Sequence, residues 1–367
     1  MILPFILTPM VLSVISSFAM WFGLVPVVSR SVEWTVPVLA SGYLATGSVS
    51  GSLLQAFNLV VGTMIYIPFI RQSERVQDRE FLGKIKRLEA SMNEDERSVW
   101  VRDFRWNTYE NQQTAKLLAS DLESALSKGA LELYYQPQVK RDGTLYGCEA
   151  LLRWNYMGQG FVYPPLIIAL AVQGDFIGTL GMYIVEKACR DMAGARTQAG
   201  CPVSFSVNIL PLELEDPSFA DQVLKILKDT GVEGSNLTIE LTEQVALNPG
   251  PNLERQLEKL RESRVRISMD DFGMGHGSLN YLNSAHYDEV KIDGSLIRRL
   301  PEHTQTCELV GNIMNMSRIL GVNTVAECVE TPEQIQMLEK LGCSIYQGYY
   351  YSRPLPRDAF IEYVKGL

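Results

Sequence analysis

Leu237-Thr-Ile-Glu-Leu241 is a short apolar, β-rich run; Leu253–Ser263 is amphipathic; Val265-Arg-Ile-Ser-Met-Asp-Asp271 is a second β-rich run that closes on two carboxylates. This is a strand, a helix and a strand, with an acidic residue carried in or at the end of each strand. The unit recurs along the chain. β-rich runs stand at Leu131–Tyr135, Tyr146–Leu152, Val203–Ile209, Leu237–Leu241, Val265–Met269, Glu289–Ile292, Asn323–Ala326 and Cys343–Tyr346. Between most of them lie amphipathic stretches, among them Phe219–Thr230, Gln305–Leu320 and Pro332–Leu341. Eight strands with helical crossovers predict an α/β protein built as a (β/α)8 barrel. An open doubly wound sheet is the alternative, but no G-x-G-x-x-G or Walker-type loop opens any helix.

The polar residues at the strand ends point to a site. Glu149 sits late in the second run, Asn208 near the end of the third and Glu240 in the fourth. Asp270 and Asp271 close the fifth, Lys291 lies in the sixth, Glu327 follows the seventh and Gln347 the eighth. Barrel active sites form where the C-terminal ends of several strands converge. Carboxylates gathered there repel one another unless cations neutralise them. With oxygen donors and no thiolate or histidine set, Mg2+ or Mn2+ is the expected metal. Taken singly, each residue has a plainer reading: Asp270-Asp271 as a turn or helix cap, Glu149 or Glu240 as half of an ion pair, Lys291 as its counter-ion, Asn208 as a turn residue. One polar position per successive strand argues against accident.

Charge is divided unevenly along the chain. Residues 1–72 hold only Arg30, Glu33 and Arg71 as charges, while the net charge of the whole is −9. Such a balance excludes a disordered chain and gives no footprint for DNA or RNA. Met1–Ser29 and Trp34–Ile70 are uncharged, and about 20 apolar residues cross a bilayer as a helix. The second run is broken by Pro37 and several glycines, so it reads as an irregular piece followed by one span near Leu53–Ile70. Arg71, Arg75, Arg79, Lys84, Lys86 and Arg87 follow, which places that end in the cytoplasm. The expected organisation is a helical membrane segment at 1–72 in contact with lipid, a charged helical linker at 73–115 and a catalytic domain at 116–367. In the linker, Phe81, Ile85, Leu88 and Met92 form a short apolar stripe, which reads either as a dimerising helix or as a connector against the domain below. The six cysteines show no disulfide or zinc spacing, and unpaired thiols fit a reducing compartment.

Glu149-Ala-Leu151, within Glu149-x-Leu151-x-Arg153, resembles the signature of EAL-domain cyclic di-GMP phosphodiesterases. The likeness continues through Tyr135-Gln-Pro137, Val207-Asn208, Ile239-Glu-Leu-Thr-Glu243, Asp270-Asp-Phe-Gly273, Val290-Lys-Ile-Asp293, Val325-Ala-Glu327, Val329-Glu-Thr331 and Gln347-Gly348. Every block is in order, over about residues 116–366. The resemblance implies an EAL-type, TIM-like barrel that opens cyclic di-GMP to linear pGpG with two divalent ions, lowering a second messenger of biofilm and motility signalling. It implies Glu149, Asn208, Glu240, Asp270, Asp271 and Glu330 as metal ligands. Glu327, Lys291, Glu149 and Asp271 are implied in catalysis, with Glu327 as general base and Lys291 orienting the water. Arg153 is implied at the phosphate, with Gln136, Leu151, Asp293, Gln347 and Pro354 at the substrate. Glu243 would hold the loop after the Asp pair, and a homodimer through the catalytic domain would form.

The sequence departs from the family pattern at Met274, His276 and Gly277, at Cys328 in place of the usual Gly, and at Val172 in place of the usual Glu. The alternative function is therefore a receptor that binds cyclic di-GMP without cleaving it. Upstream, Leu3-Pro-Phe-Ile-Leu-Thr-Pro9, Trp34-Thr-Val-Pro37 and Gly42-Tyr-Leu-Ala-Thr-Gly47 resemble the last segments of lactose/cellobiose-family phosphotransferase IIC permeases. The family's Asn-Glu-Pro motif is missing, so a relic anchor or sensor is expected, and a sugar-permease partner is the further possibility. The expected location is the bacterial inner membrane, multi-pass, with the catalytic domain cytoplasmic.

Overall fold

The computed structural model describes residues 81, 83–89, 109–158, 160–199, 203–243, 251–273 and 287–366. The chain divides into two units, Met1–Leu82 and Gly83–Leu367, and the fold described is that of the second. The expected membrane segment 1–72, most of the linker 73–115, and Met274, His276 and Gly277 lie outside the described residues. Among the described residues no helix is long and apolar enough to cross a membrane.

In chain order, α1 (Tyr109–Ser127) leads into β1 (Glu132–Lys140) and β2 (Leu145–Asn155), followed by β3 (Phe161–Val162), α2 (Pro164–Gln173) and α3 (Ile177–Ala199). Strands and helices then alternate: β4 (Phe205–Asn208), α4 (Pro211–Leu214), α5 (Phe219–Thr230), β5 (Leu237–Thr242), α6 (Pro251–Glu262), β6 (Arg266–Phe272) and β7 (Glu289–Ile292). The chain closes with α7 (Gly294–Ile297), α8 (Thr304–Leu320), β8 (Asn323–Ala326), α9 (Pro332–Leu341), β9 (Ile345–Gln347), β10 (Leu355–Pro356) and α10 (Arg357–Lys365).

The strands form one sheet in the order β10-β1-β9-β8-β7-β6-β5-β4-β2-β3, and a further β1–β2 pairing closes it into a barrel. From β2 through β4 to β9, neighbouring barrel strands are parallel. β1 is the exception, antiparallel to both β2 and β9. The expected TIM-like barrel of eight strands forms, with β1 reversed. The cause is local: Arg141-Asp142-Gly143-Thr144 is too short for a helical crossover, and Gly143 at φ 84° lets the chain reverse. β1 also runs on to Lys140, beyond the β-rich run Leu131–Tyr135.

Successive residues of a strand face opposite sides. Val207, Ile239, Leu241, Ile267, Met269, Val290 and Ile292 are buried, on the face opposite the polar positions. Their alternating partners, Ser206, Thr238, Glu240, Ser268, Glu289 and Lys291, are also buried and turn into the barrel. Parallel strands are covered on both faces. Here one face is apolar and helix-covered and the other polar.

Residues 83–89 are helical, with Ile85 and Leu88 buried. Glu89 Oε1 accepts a hydrogen bond from Tyr163 N at 2.9 Å, at the N-terminus of α2. Met92, the last residue of the expected apolar stripe, lies outside the described residues. The five cysteines among the described residues are free thiols.

Candidate metal and active site

Lys291 projects from β7 into the barrel with 1% of its surface exposed. Its Nζ lies 3.3 Å from Glu149 Oε2, 2.8 Å from Glu240 Oε2, 3.1 Å from Asp270 Oδ1 and 2.7 Å from Glu327 Oε1. These four carboxylates come from β2, β5, β6 and the residue after β8. The strand-end pattern of the sequence thus converges at one mouth.

Asp271 joins them through a defect in β6. In a regular strand, adjacent aspartates would face opposite sides of the sheet. Between Met269 and Phe272, however, the β6–β7 register shifts: three steps along β6 match two along β7. That is a β-bulge, and Asp271 takes the left-handed conformation within it, φ 56°. As a result Asp270, Asp271 and Glu327 each offer an oxygen within 4.8 Å of the others.

Electrostatics sort the groups. Burial pulls the Lys291 pKa down, but Asp270, Glu149, Glu240 and Glu327 reverse this and hold it well above an ordinary lysine. Burial pushes Glu240 well up, reinforced by Glu149. Burial likewise raises Asp270, raises Glu327 to about 8, and raises Asp271 to about 7 with help from neighbouring Asp270. Glu149 alone falls below the usual carboxylate value: burial opposes this, but Lys291 and amides from Gln347 and Asn208 outweigh it. One ammonium does not balance this many carboxylates, so burial and mutual repulsion raise most of them.

The donor set fits hard divalent ions. It consists of carboxylate oxygens plus the Asn208 side chain, which donates through Nδ2 to Glu149 Oε1 at 2.7 Å and keeps its amide oxygen for another partner. Glu240 Oε1 is buried with no hydrogen-bond partner, as an oxygen reserved for a cation would be.

The other sequence-derived positions separate clearly. Gln347 Nε2 donates to Glu149 Oε2 at 2.6 Å and to Gln136 Oε1 at 3.2 Å, and Gln136 Nε2 reaches Ser352 O at 3.2 Å. Arg153 is half-buried on β2, four residues beyond Glu149, with its guanidinium 5.7 Å from the Tyr134 ring centroid. Leu151 and Pro354 are half-buried. Asp293 Oδ1 caps α7 by accepting from Ser295 N at 2.8 Å. Buried Glu243 accepts from Gly273 N at 3.3 Å, at the start of the loop that leaves β6. Glu330 is not brought into the cluster: its side chain is exposed, and it immediately precedes Thr331, the N-cap of α9. Gln138, unmarked in the sequence reading, is buried and donates to Gln347 Oε1 at 2.9 Å. Its signal in the sequence is the two-residue spacing from Gln136, which lies beyond the β-rich run Leu131–Tyr135.

The family profile described as EAL domain matches residues 119–354. The oxygen sensor protein DosP of Escherichia coli is 36% identical over 66% of this chain, which covers 30% of that protein. The cyclic di-GMP phosphodiesterase RocR of Pseudomonas aeruginosa is 30% identical over 67% of this chain and 63% of its own length. Among solved structures, the PaMucR phosphodiesterase in complex with c-di-GMP superposes with a TM-score of 0.63 at 34% identity, over 66% of this chain and 99% of that one. The chain spans about a third of the length of the first curated relatives it matches.

Proposed function

The chain belongs to the EAL domain family, and on that premise we propose that it is an enzyme hydrolysing cyclic di-GMP to linear pGpG with two divalent ions, Mg2+ or Mn2+. The observation that carries this reading is the convergence of Glu149, Glu240, Asp270 and Glu327 on buried Lys291, with Asp271 bulged in beside them. Relatives named cyclic di-GMP phosphodiesterases support the substrate and the reaction.

Glu149, Asn208, Glu240, Asp270 and Asp271 would hold the ions; exposed Glu330 is left out of that set. When bound, such ions acidify a water and offset the charge of phosphoryl oxygens. Lys291 orients that water, and Glu327 accepts its proton. A carboxyl raised to about 8 is tuned to exchange protons near neutrality. Arg153 supplies a guanidinium fork for a phosphate, and Gln136, Leu151, Asp293 and Pro354 border the nucleotide. Gln347 holds Glu149, so its part in substrate binding is indirect.

The proposal includes an anchor: residues 1–72 hold the chain in the inner membrane, with the barrel on the cytoplasmic side. The scarcity of charge before Arg71 and the basic run after it support this. Likeness to a phosphotransferase IIC fragment suggests where the anchor came from and leaves room for a permease partner. Self-association as a homodimer completes the reading. Fractionation tests the anchor, since recovery of the full chain in the soluble fraction would sink it.

For the activity, the full chain is incubated with cyclic di-GMP and Mn2+, and products are separated. Linear pGpG should form, and both EDTA and Glu149→Ala should abolish it. Tight binding without product would make the chain a receptor instead.

A further inference from the structure

Three buried glutamines link β1 and β9 to the metal cluster: Gln136, Gln138 and Gln347 are 8%, 3% and 4% exposed. β1 lies between β2 and β9, with Gln136 opposite Glu149 and Gln138 opposite Gln347. Gln136 and Gln138 are two apart, so both turn inward. A side-chain amide has one accepting end and one donating end, and each buried end needs a partner. Gln138 Nε2 donates to Gln347 Oε1 at 2.9 Å. With its oxygen engaged there, Gln347 turns its NH2 toward Glu149 Oε2 at 2.6 Å and Gln136 Oε1 at 3.2 Å. The reverse orientation would set the Gln347 oxygen against two other acceptors.

We propose that Gln138 is a positioning residue: by donating to Gln347 it fixes the face of that amide, and through it the place of the Glu149 carboxylate that receives divalent metal. The inference rests on the metal-site reading above. Two features of β1 and β2 serve the relay. The β1–β2 register slips between Gln138 and Val139, a bulge that re-aims the strand at this point. Directly across lies Gly147, where a Cβ would come within 3.3 Å of Gln138 Oε1 and 2.9 Å of Ser204 O. Any larger residue would press on the relay. Hydrogen-bond partners of a metal ligand typically influence affinity about 10–100-fold.

The test uses the full chain with Mn2+ alone as probe, reading binding by calorimetry without substrate and activation by hydrolysis of cyclic di-GMP. Gln138→Glu keeps the shape but replaces the donor with an acceptor that competes for the Gln347 amide. It should weaken Mn2+ binding by about tenfold, with kcat recovered within about threefold at saturating Mn2+. Gln138→Met, which removes the donor without adding charge, should weaken binding by about threefold and covers the case in which the glutamate variant folds poorly. Unchanged Mn2+ binding in both, while Glu149→Ala loses it, overturns the relay and leaves the metal-site reading standing. Unchanged binding in Glu149→Ala overturns both.

Discussion

Lys291 brings a single positive charge into a space shared by four carboxylates, and it is almost wholly enclosed there. Removing one partner of a buried ionic group leaves the rest uncompensated. Lys291→Met should therefore lower metal-free stability by about 3 kcal/mol in urea titrations. Added Mn2+ should restore more stability in this variant than in the native chain, because the ion takes over the neutralising role. Cys328 shows a different residue-scale effect. It occupies the left-handed region at φ 52°, where a Cβ is strained, and the resemblance had placed a glycine there. Cys328→Gly should gain up to about 1 kcal/mol, read as a higher urea midpoint. A loss would mean that the thiol's packing outweighs the strain. The sequence exposed the departure at this position but could not supply the backbone angle that gives it a cost.

At the scale of elements, the sequence was most informative where period and chemistry coincided. All eight barrel strands and the helices Phe219–Thr230 and Pro332–Leu341 follow from β-rich runs and amphipathic periodicity. Strand direction did not follow, because alternation reads the same in either sense; only the short Asp142-Gly143 turn carried the information that β1 reverses. The β6 bulge was equally hidden, since nothing in Asp270-Asp271 itself says that both will face one mouth. α4 carries a further unmarked device just beyond Asn208. Glu213 Oε2 accepts from Leu210 N at 2.8 Å, while Oε1 is buried without a partner against Gly181. Burial raises this carboxyl from 4.5 to about 8. A raised carboxyl is favoured neutral in the folded state, so its contribution to stability is lost as pH climbs from about 4.5 through about 8. Glu213→Gln keeps the acceptor for Leu210 N and cannot ionise. Compared with the native chain, it should be more stable by on the order of 1–3 kcal/mol at pH 8 and nearly equal at pH 5, by thermal melts in parallel buffers. A difference independent of pH would contradict this.

On the scale of the whole described domain, the barrel interior is lined with polar and ionisable side chains and its stability is tied to what neutralises them. Asp271, raised to about 7, holds a proton that a divalent ion must displace. Raising pH from 6 to 8.5 removes that competition, so Mn2+ should raise the melting temperature more at pH 8.5 than at pH 6. An equal shift at both values would remove Asp271 from the metal site. The location of the site was legible in the sequence, because strand ends and carboxylates fall in phase. Gln138 was not, because it lies far from Gln347 in sequence and meets it only through β1–β9 pairing. The most direct measurement is a titration of Mn2+ into the full chain at pH 8, with cyclic di-GMP turnover followed in the same samples. Two ions per chain are expected, with pGpG formation tracking occupancy of the second and both lost in Glu149→Ala. Turnover undiminished in EDTA, or Mn2+ binding unaffected by that substitution, would contradict a two-ion hydrolase built around Lys291.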